Sequence, residues 1–330
     1  MLNPAYKLTI GNKVVDTTDE PQASTVVDLQ VQLDMQTTAD SFTLVLGQVG
    51  GLDPAADDDA TIELGYADDG GLTRVMSGKV VNVEPTLLNN RIAGYNGAAL
   101  LLNSYTNQTY ENKTAGNIVT DLATQAGVDT DSVEDGITFP AYVIDGRRSF
   151  YRHMQDLAQN CGFDLYINPD NALVFKRFVS GETVHVFEYR KHIIELEILN
   201  TPPAAASVEA WGESPGTGGG KESWAWLTKD FSGSKGSAGS GSPTLLLERP
   251  ALRTGQAAQT AADATMTVID RSAVRGRLLS LGRPEIKLGD AIRLLDVPDD
   301  DINGVYQVRS VNHRITKIAG FTTTVEFRRI

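Results

Sequence analysis

Four histidines, a single cysteine and two runs of aspartate are the side chains of this 330-residue chain best suited to acid–base, nucleophilic or metal chemistry. His153 falls in a stretch of helical periodicity, His185 in an alternating stretch, His192 just beyond it and His313 in the closing segment. None adjoins the cysteine and none belongs to a His-Glu-x-x-His pair, so the ligand spacing of a zinc hydrolase is missing. All four are expected to be structural or surface groups. Cys161 has no second thiol for a disulfide or a thiolate metal site, and its apolar helical surroundings predict a small buried hydrophobe. Asp53, Asp57, Asp58 and Asp59, and again Asp299, Asp300 and Asp301, crowd into short turns without the register of a calcium loop, which predicts solvated turns. Gly216-Thr217-Gly218-Gly219-Gly220-Lys221 has the wrong spacing and setting for a phosphate loop, and no Gly-x-Ser-x-Gly elbow is expected, so serine and nucleotide hydrolysis lack support. No catalytic, cofactor-binding or metal-ligating residue is nominated. Paired carboxylates for glycoside cleavage stay open, because their spacing is spatial.

The surrounding sequence is that of a turn-rich β protein. Thirty-one glycines and thirteen prolines punctuate short segments of Val, Thr, Ile and Leu, and the length suits two or three domains. Lys and Arg total 29 against 42 Asp and Glu, a formal charge of −13, which disfavours broad tracking of phosphate backbones. Met1 to Tyr6 carries neither the basic region nor the apolar core of a signal peptide. No run approaches the ~20 apolar residues of a membrane helix. Synthesis and folding in a cytoplasm, without stable membrane insertion, are expected.

Residues 1–95 predict a first β domain, a small barrel or sandwich. Its clearest strand is Val26–Met35, with Val27, Leu29, Val31, Leu33 and Met35 on one face. Residues 96–179 predict an α/β domain. Thr114 caps a helix carrying Ile118, Val119 and Leu122 and ending at Gly127; Ser149 caps a second carrying Phe150, Met154, Leu157 and Cys161 and ending at Gly162. A hairpin follows, Phe163–Ile167 and Ala172–Lys176, across Asn168-Pro169-Asp170-Asn171. Residues 180–330 return to β structure, with a Gly/Ser-rich insertion at 212–243 and a helix at 255–271 capped by Thr254. Composition alone makes the insertion a flexible linker. Trp224, Trp226 and Phe231 inside it bury too much area to be left in water, so they either pack on their own domain or contact a neighbouring subunit.

The last fifty residues set Pro284, Leu288-Gly289-Asp290, then the hairpin signal Asn303-Gly304 before Val305-Tyr306-Gln307-Val308. His313 and Gly320-Phe321-Thr322-Thr323-Thr324-Val325-Glu326-Phe327 complete the set. Val305, Gln307 and Arg309 share one face of their strand, Tyr306, Val308 and Ser310 the other. This ordered set, with the helix–Gly162-Phe163–hairpin unit upstream, resembles phage late control D proteins. These are the tail hubs of contractile phages, similar to the N-terminal half of VgrG proteins of type VI secretion systems. The resemblance implies a mainly β fold with an α+β insertion: two tail-tube-like β-barrel domains plus a small α/β domain. It further implies a non-enzymatic homotrimer, assembled into a virion tail or injection particle, that joins the sixfold tail tube to the threefold spike. Its expected partners are a separate spike trimer, the tail tube protein and baseplate wedge proteins, with DNA or effector only passing through the lumen and no cofactor. A cell-wall-degrading tail enzyme, or a tube or wedge subunit, is the alternative.

Overall fold

The structure, a computed structural model, describes residues 3–330 except 19–24, 38, 48–51, 53, 69, 182, 213, 216–226 and 229–234, with backbone alone at 214–215 and 227–228. Alternating apolar residues build the first β segment: β1 (Pro4–Ile10), β2 (Lys13–Asp16), β3 (Val26–Asp34), β4 (Ser41–Gly47), β5 (Asp59–Tyr66), β6 (Gly71–Pro85) and β7 (Asn89–Tyr95). Leu8, Leu29, Val31, Leu44, Leu64 and Ile92 point inward and are fully buried. The face of β3 departs from strict alternation at one end. A bulge between Val26 and Asp28, where β3 pairs with β4, turns Val26 inward and leaves Val27 exposed. One extra residue in a strand shifts every side chain before it to the other face.

The middle layer comprises α1 (Ala98–Leu102), β8 (Gln108–Thr114), α2 (Ala115–Ala126), β9 (Thr130–Val133), β10 (Thr138–Ile144), α3 (Phe150–Cys161), β11 (Asp164–Ile167) and β12 (Leu173–Lys176). Thr114 caps α2 by accepting from the Asn117 amide at 3.1 Å, and Gly127 and Gly162 end the two long helices in the left-handed conformation. Ser149 occupies the extended cap position of α3 but its hydroxyl makes no cap bond; it is buried instead. β11 and β12 form the expected hairpin, and β9, short and polar, adds to β12 in parallel.

The remainder contains β13 (Val184–Glu188), β14 (Ile193–Asn200), β15 (Ser207–Trp211), the pair β16 (Ser214–Pro215) and β17 (Leu227–Thr228), β18 (Lys235–Gly239) and β19 (Thr244–Glu248). Then come α4 (Gly255–Ser272), β20 (Val274–Leu281), β21 (Ala291–Leu295), β22 (Gly304–Thr316) and β23 (Gly320–Arg329). Thr254 caps α4 through the Ala257 amide at 3.1 Å. Part of the Gly/Ser-rich insertion is ordinary packed strand: β18 pairs with β15 and lies on α4. Gly236 permits this, since a Cβ there would sit 2.3 Å from the Ala258 backbone. β15, β18, β19 and the alanine face of α4 thus join the core of the middle layer.

The two outer β segments are one sheet. Its order is β14-β20-β23-β22-β3-β4-β7-β6-β5-β1-β2, with β21 on the first half of β22 and β13 parallel to β21. β22 is the hinge of this arrangement. Gly304–Gln307 pair with β21, then Ser310–Thr316 pair with β3 from the other end of the chain. A single core runs beneath both segments, and Tyr66 bridges them by donating to the Gly282 carbonyl at 3.0 Å. The chain is mainly β with small α/β parts.

Candidate interaction surfaces

The chemically capable side chains do not converge. His153 is buried, with Nε2 3.2 Å from the Asp145 carbonyl, and His192 Nδ1 accepts from the Glu188 amide at 3.0 Å. His185 Nε2 lies 2.8 Å from Asp290 Oδ2, which also accepts from the Lys287 amide. This explains the Leu288-Gly289-Asp290 string. Gly289 takes φ +83° against Tyr166, and Asp290 ties the turn to β13. His313 is wholly buried, with Nδ1 3.0 Å from Thr323 Oγ1 and Nε2 unpartnered; burial pushes its pKa down to about 4. Burial pushes the Cys161 thiol up to about 11. Among the described residues no three His, Cys, Asp or Glu are arranged to hold a metal ion. Gly212-Glu213-Ser214-Pro215-Gly216 does spell Gly-x-Ser-x-Gly, a string the sequence reading passed over. Ser214 and Pro215 pair with β17 as strand, whereas an elbow serine opens a helix.

Asn303-Gly304 works differently from the expected hairpin. Neither residue has positive φ; Asp296 supplies the left-handed turn instead. The Asn303 side chain accepts from the Val297 amide and donates to its carbonyl, both at 2.9 Å, imitating a strand pair.

What the described residues do present is sheet edges and exposed apolar side chains. Trp224, Trp226 and Phe231 lie outside the described residues. Among the described residues the long sheet has edges at β14 and β2, and at β13 on its β21 branch; β14 and β2 carry the exposed apolar residues Ile194 (53 %), Leu199 (47 %) and Val14 (56 %). Edge strands present a row of backbone donors and acceptors to any strand laid beside them. The tip of the β6–β7 hairpin projects Leu87 and Leu88, 87 % and 76 % exposed.

Behind these surfaces an ion cluster locks the middle layer to the sheet. Asp164, at the start of β11 and buried, receives Arg309 Nη1 and Gln307 Nε2, each at 2.5 Å, and lies 3.7 Å from Arg328 Nη2. Arg328 Nε in turn donates to Gln307 Oε1 at 2.9 Å. The face of Gln307 and Arg309 therefore meets the middle layer rather than water, and β22 is covered on both sides. Gln307 itself is completely buried. Sequence reasoning missed this cluster: Asp164 and Arg309 are far apart in the chain, and the alternation of β22 shows only that two faces exist.

No protein-family model matches the sequence, and no curated protein sequence matches it. Solved structures do. The 43 kDa tail protein of prophage MuSo2 from Shewanella oneidensis superposes with TM-score 0.73 at 12% identity, covering 99% of this chain and 98% of that one. A tail protein from Neisseria meningitidis MC58 gives TM-score 0.73 at 14% identity, covering 99% and 97%. An E. coli protein described as a component of the type VI secretion system, similar in structure to T4 tail proteins gp27 and gp5, gives 0.59 at 9% identity, covering 92% and 73%. The chain has the fold shared by phage tail proteins and VgrG-type components of injection systems.

Proposed function

We propose that this chain is a structural component of a phage tail or related injection particle, and within it the hub. Three copies form a ring that joins a sixfold tail tube to a threefold spike. Two tube-like β segments per chain provide six in the ring, which resolves the symmetry mismatch. The observation that carries this reading is the continuous sheet, fused at β3–β22, whose main path has edge strand β14 at one end and edge strand β2 at the other among the described residues. Such edges suit a head-to-tail ring, in which β14 of one copy lies beside β2 of the next. The full-length likeness to the two tail proteins supports the same reading. Spike trimer and tube protein bind the two faces of the ring, wedge proteins bind its rim, and DNA or effector passes through the lumen. The role is positional and not enzymatic.

Light scattering on the purified chain, alone and with a candidate spike subunit, tests this. A mass of three chains, or a monomer that becomes trimeric on adding spike, is expected. A monomer indifferent to every spike candidate would refute the hub reading, and lysis of peptidoglycan by the purified chain would refute its non-enzymatic part.

A further inference from the structure

In a chain of net charge −13, arginines crowd one place. Where α4 meets β22 and β23, a cavity of about 300 Å³ is lined by Arg271, Arg309 and Arg328, and Asp164 is its only carboxylate. Asp164 is shared: it holds Arg309 and Gln307 and lies 3.7 Å from Arg328, so one carboxylate faces three arginines. Arg271, on the last turn of α4, is half-buried, with its guanidinium 5.8 Å over the Phe178 ring and within electrostatic reach of Asp164. Burial is the main cause that lowers the pKa of both Arg271 and Arg328, the latter to about 10; Arg309 adds to the lowering and Asp164 opposes it.

An adjoining cleft of about 530 Å³ shares Arg309 and Arg328 and adds Arg275 and Arg277. Its strand register is telling. Arg277 stands between Glu197 and Glu326, a complementary row, whereas Arg275 stands directly opposite Arg328. Like charges facing each other across a strand pair are destabilising unless something negative lies between them.

We propose that this cavity is an oxyanion site, in which Arg271 and Arg328, backed by Arg309 and flanked by Arg275, take a single carboxylate or phosphate group. Guanidinium forks match both groups in bidentate geometry. Glu197 and Glu326, which line the adjoining cleft, disfavour a polyphosphate or a nucleic-acid backbone running out of the cavity.

Calorimetric titration of the full chain at constant ionic strength tests this, with inorganic phosphate and N-acetyl-aspartate amide as probes and chloride as the balancing salt. Saturable binding of at least one probe is expected. Phosphate alone would identify a free anion as the ligand; the aspartate amide alone would identify an acidic side chain of a partner protein. Arg271→Gln should weaken binding about tenfold or more, and Arg275→Gln several-fold. Arg277→Gln, two residues further along the strand and opposite Glu197 and Glu326, should weaken binding less than Arg275→Gln. Arg275→Gln, at an exposed position, keeps the test open if the Arg271 variant fails to fold. No saturable binding of either probe, or equal weakening by Arg277→Gln, would overturn the proposal.

Discussion

A buried carboxylate is tolerated only when it is paired, and Asp164 meets that condition with Arg309, Gln307 and Arg328. Asp164→Ala leaves two largely buried arginines facing each other, so a loss of about 3–5 kcal/mol is expected in urea denaturation. A cost below ~1 kcal/mol, the value of a surface pair, would mean that water reaches the cluster. His313 and Asp40 make opposite contributions to pH dependence. Burial holds His313 neutral, with a pKa of about 4 against 6.5 when free. The unfolded chain alone takes this proton as pH falls from 6.5 toward 4, which costs the folded state up to about 1.4 kcal/mol per pH unit. Asp40, whose two oxygens accept from the Asp34 amide and the Asn96 side chain, is raised by burial to about 7. The folded state keeps a proton that the unfolded chain releases, so this contribution to stability grows as pH falls from 7 toward 3.8. Denaturation midpoints measured between pH 7 and 4 should be less acid-sensitive in His313→Gln and more acid-sensitive in Asp40→Asn.

At the scale of elements, the contact of β18 with α4 depends on an absent side chain. Gly236→Ala should push the strand off the helix and cost about 1–3 kcal/mol, the usual penalty of overpacking, read as a lowered thermal midpoint. An unchanged midpoint would mean that β18 yields freely, like the linker its composition implies. The β14 edge invites a different test. Ile194→Lys places a charge on an exposed edge position, a device that discourages strand addition, and should leave monomer stability within ~0.5 kcal/mol while reducing self-association. If sedimentation gives the same assembled mass for the variant, β14 is not the edge through which copies associate.

For the whole molecule, the seam between β3 and β22 makes the two β segments interdependent. They share a core as well as a sheet, so denaturant should unfold them in one transition despite the length of the chain. Two separated transitions, followed by tyrosine absorbance and far-UV circular dichroism, would show that the seam is weaker than its register implies. The same seam fixes the spacing of the two β segments, on which the proposed ring depends.

Local patterns carried much of this protein into view. Period-two alternation located most of the strands, because one buried face is written directly into neighbouring residues. Thr114, Thr254, Gly127 and Gly162 marked helix ends for an equally local reason: caps satisfy backbone groups within a few residues. Bulges such as the one at Val26–Asp28 stayed hidden, since a partner strand decides where the extra residue goes. β8, β9 and β10 were missed as well; mixed polarity hides their pattern, and they form where neighbours supply hydrogen bonds. The arginine cavity and the Asp164 cluster were beyond sequence altogether, as they join residues from β11, α4, β22 and β23. The union of the two β segments in one sheet belongs to the same class. Residues 26–34 and 310–316 meet because burying both apolar faces in one core is more favourable than exposing an edge of each, and that comparison exists only in three dimensions.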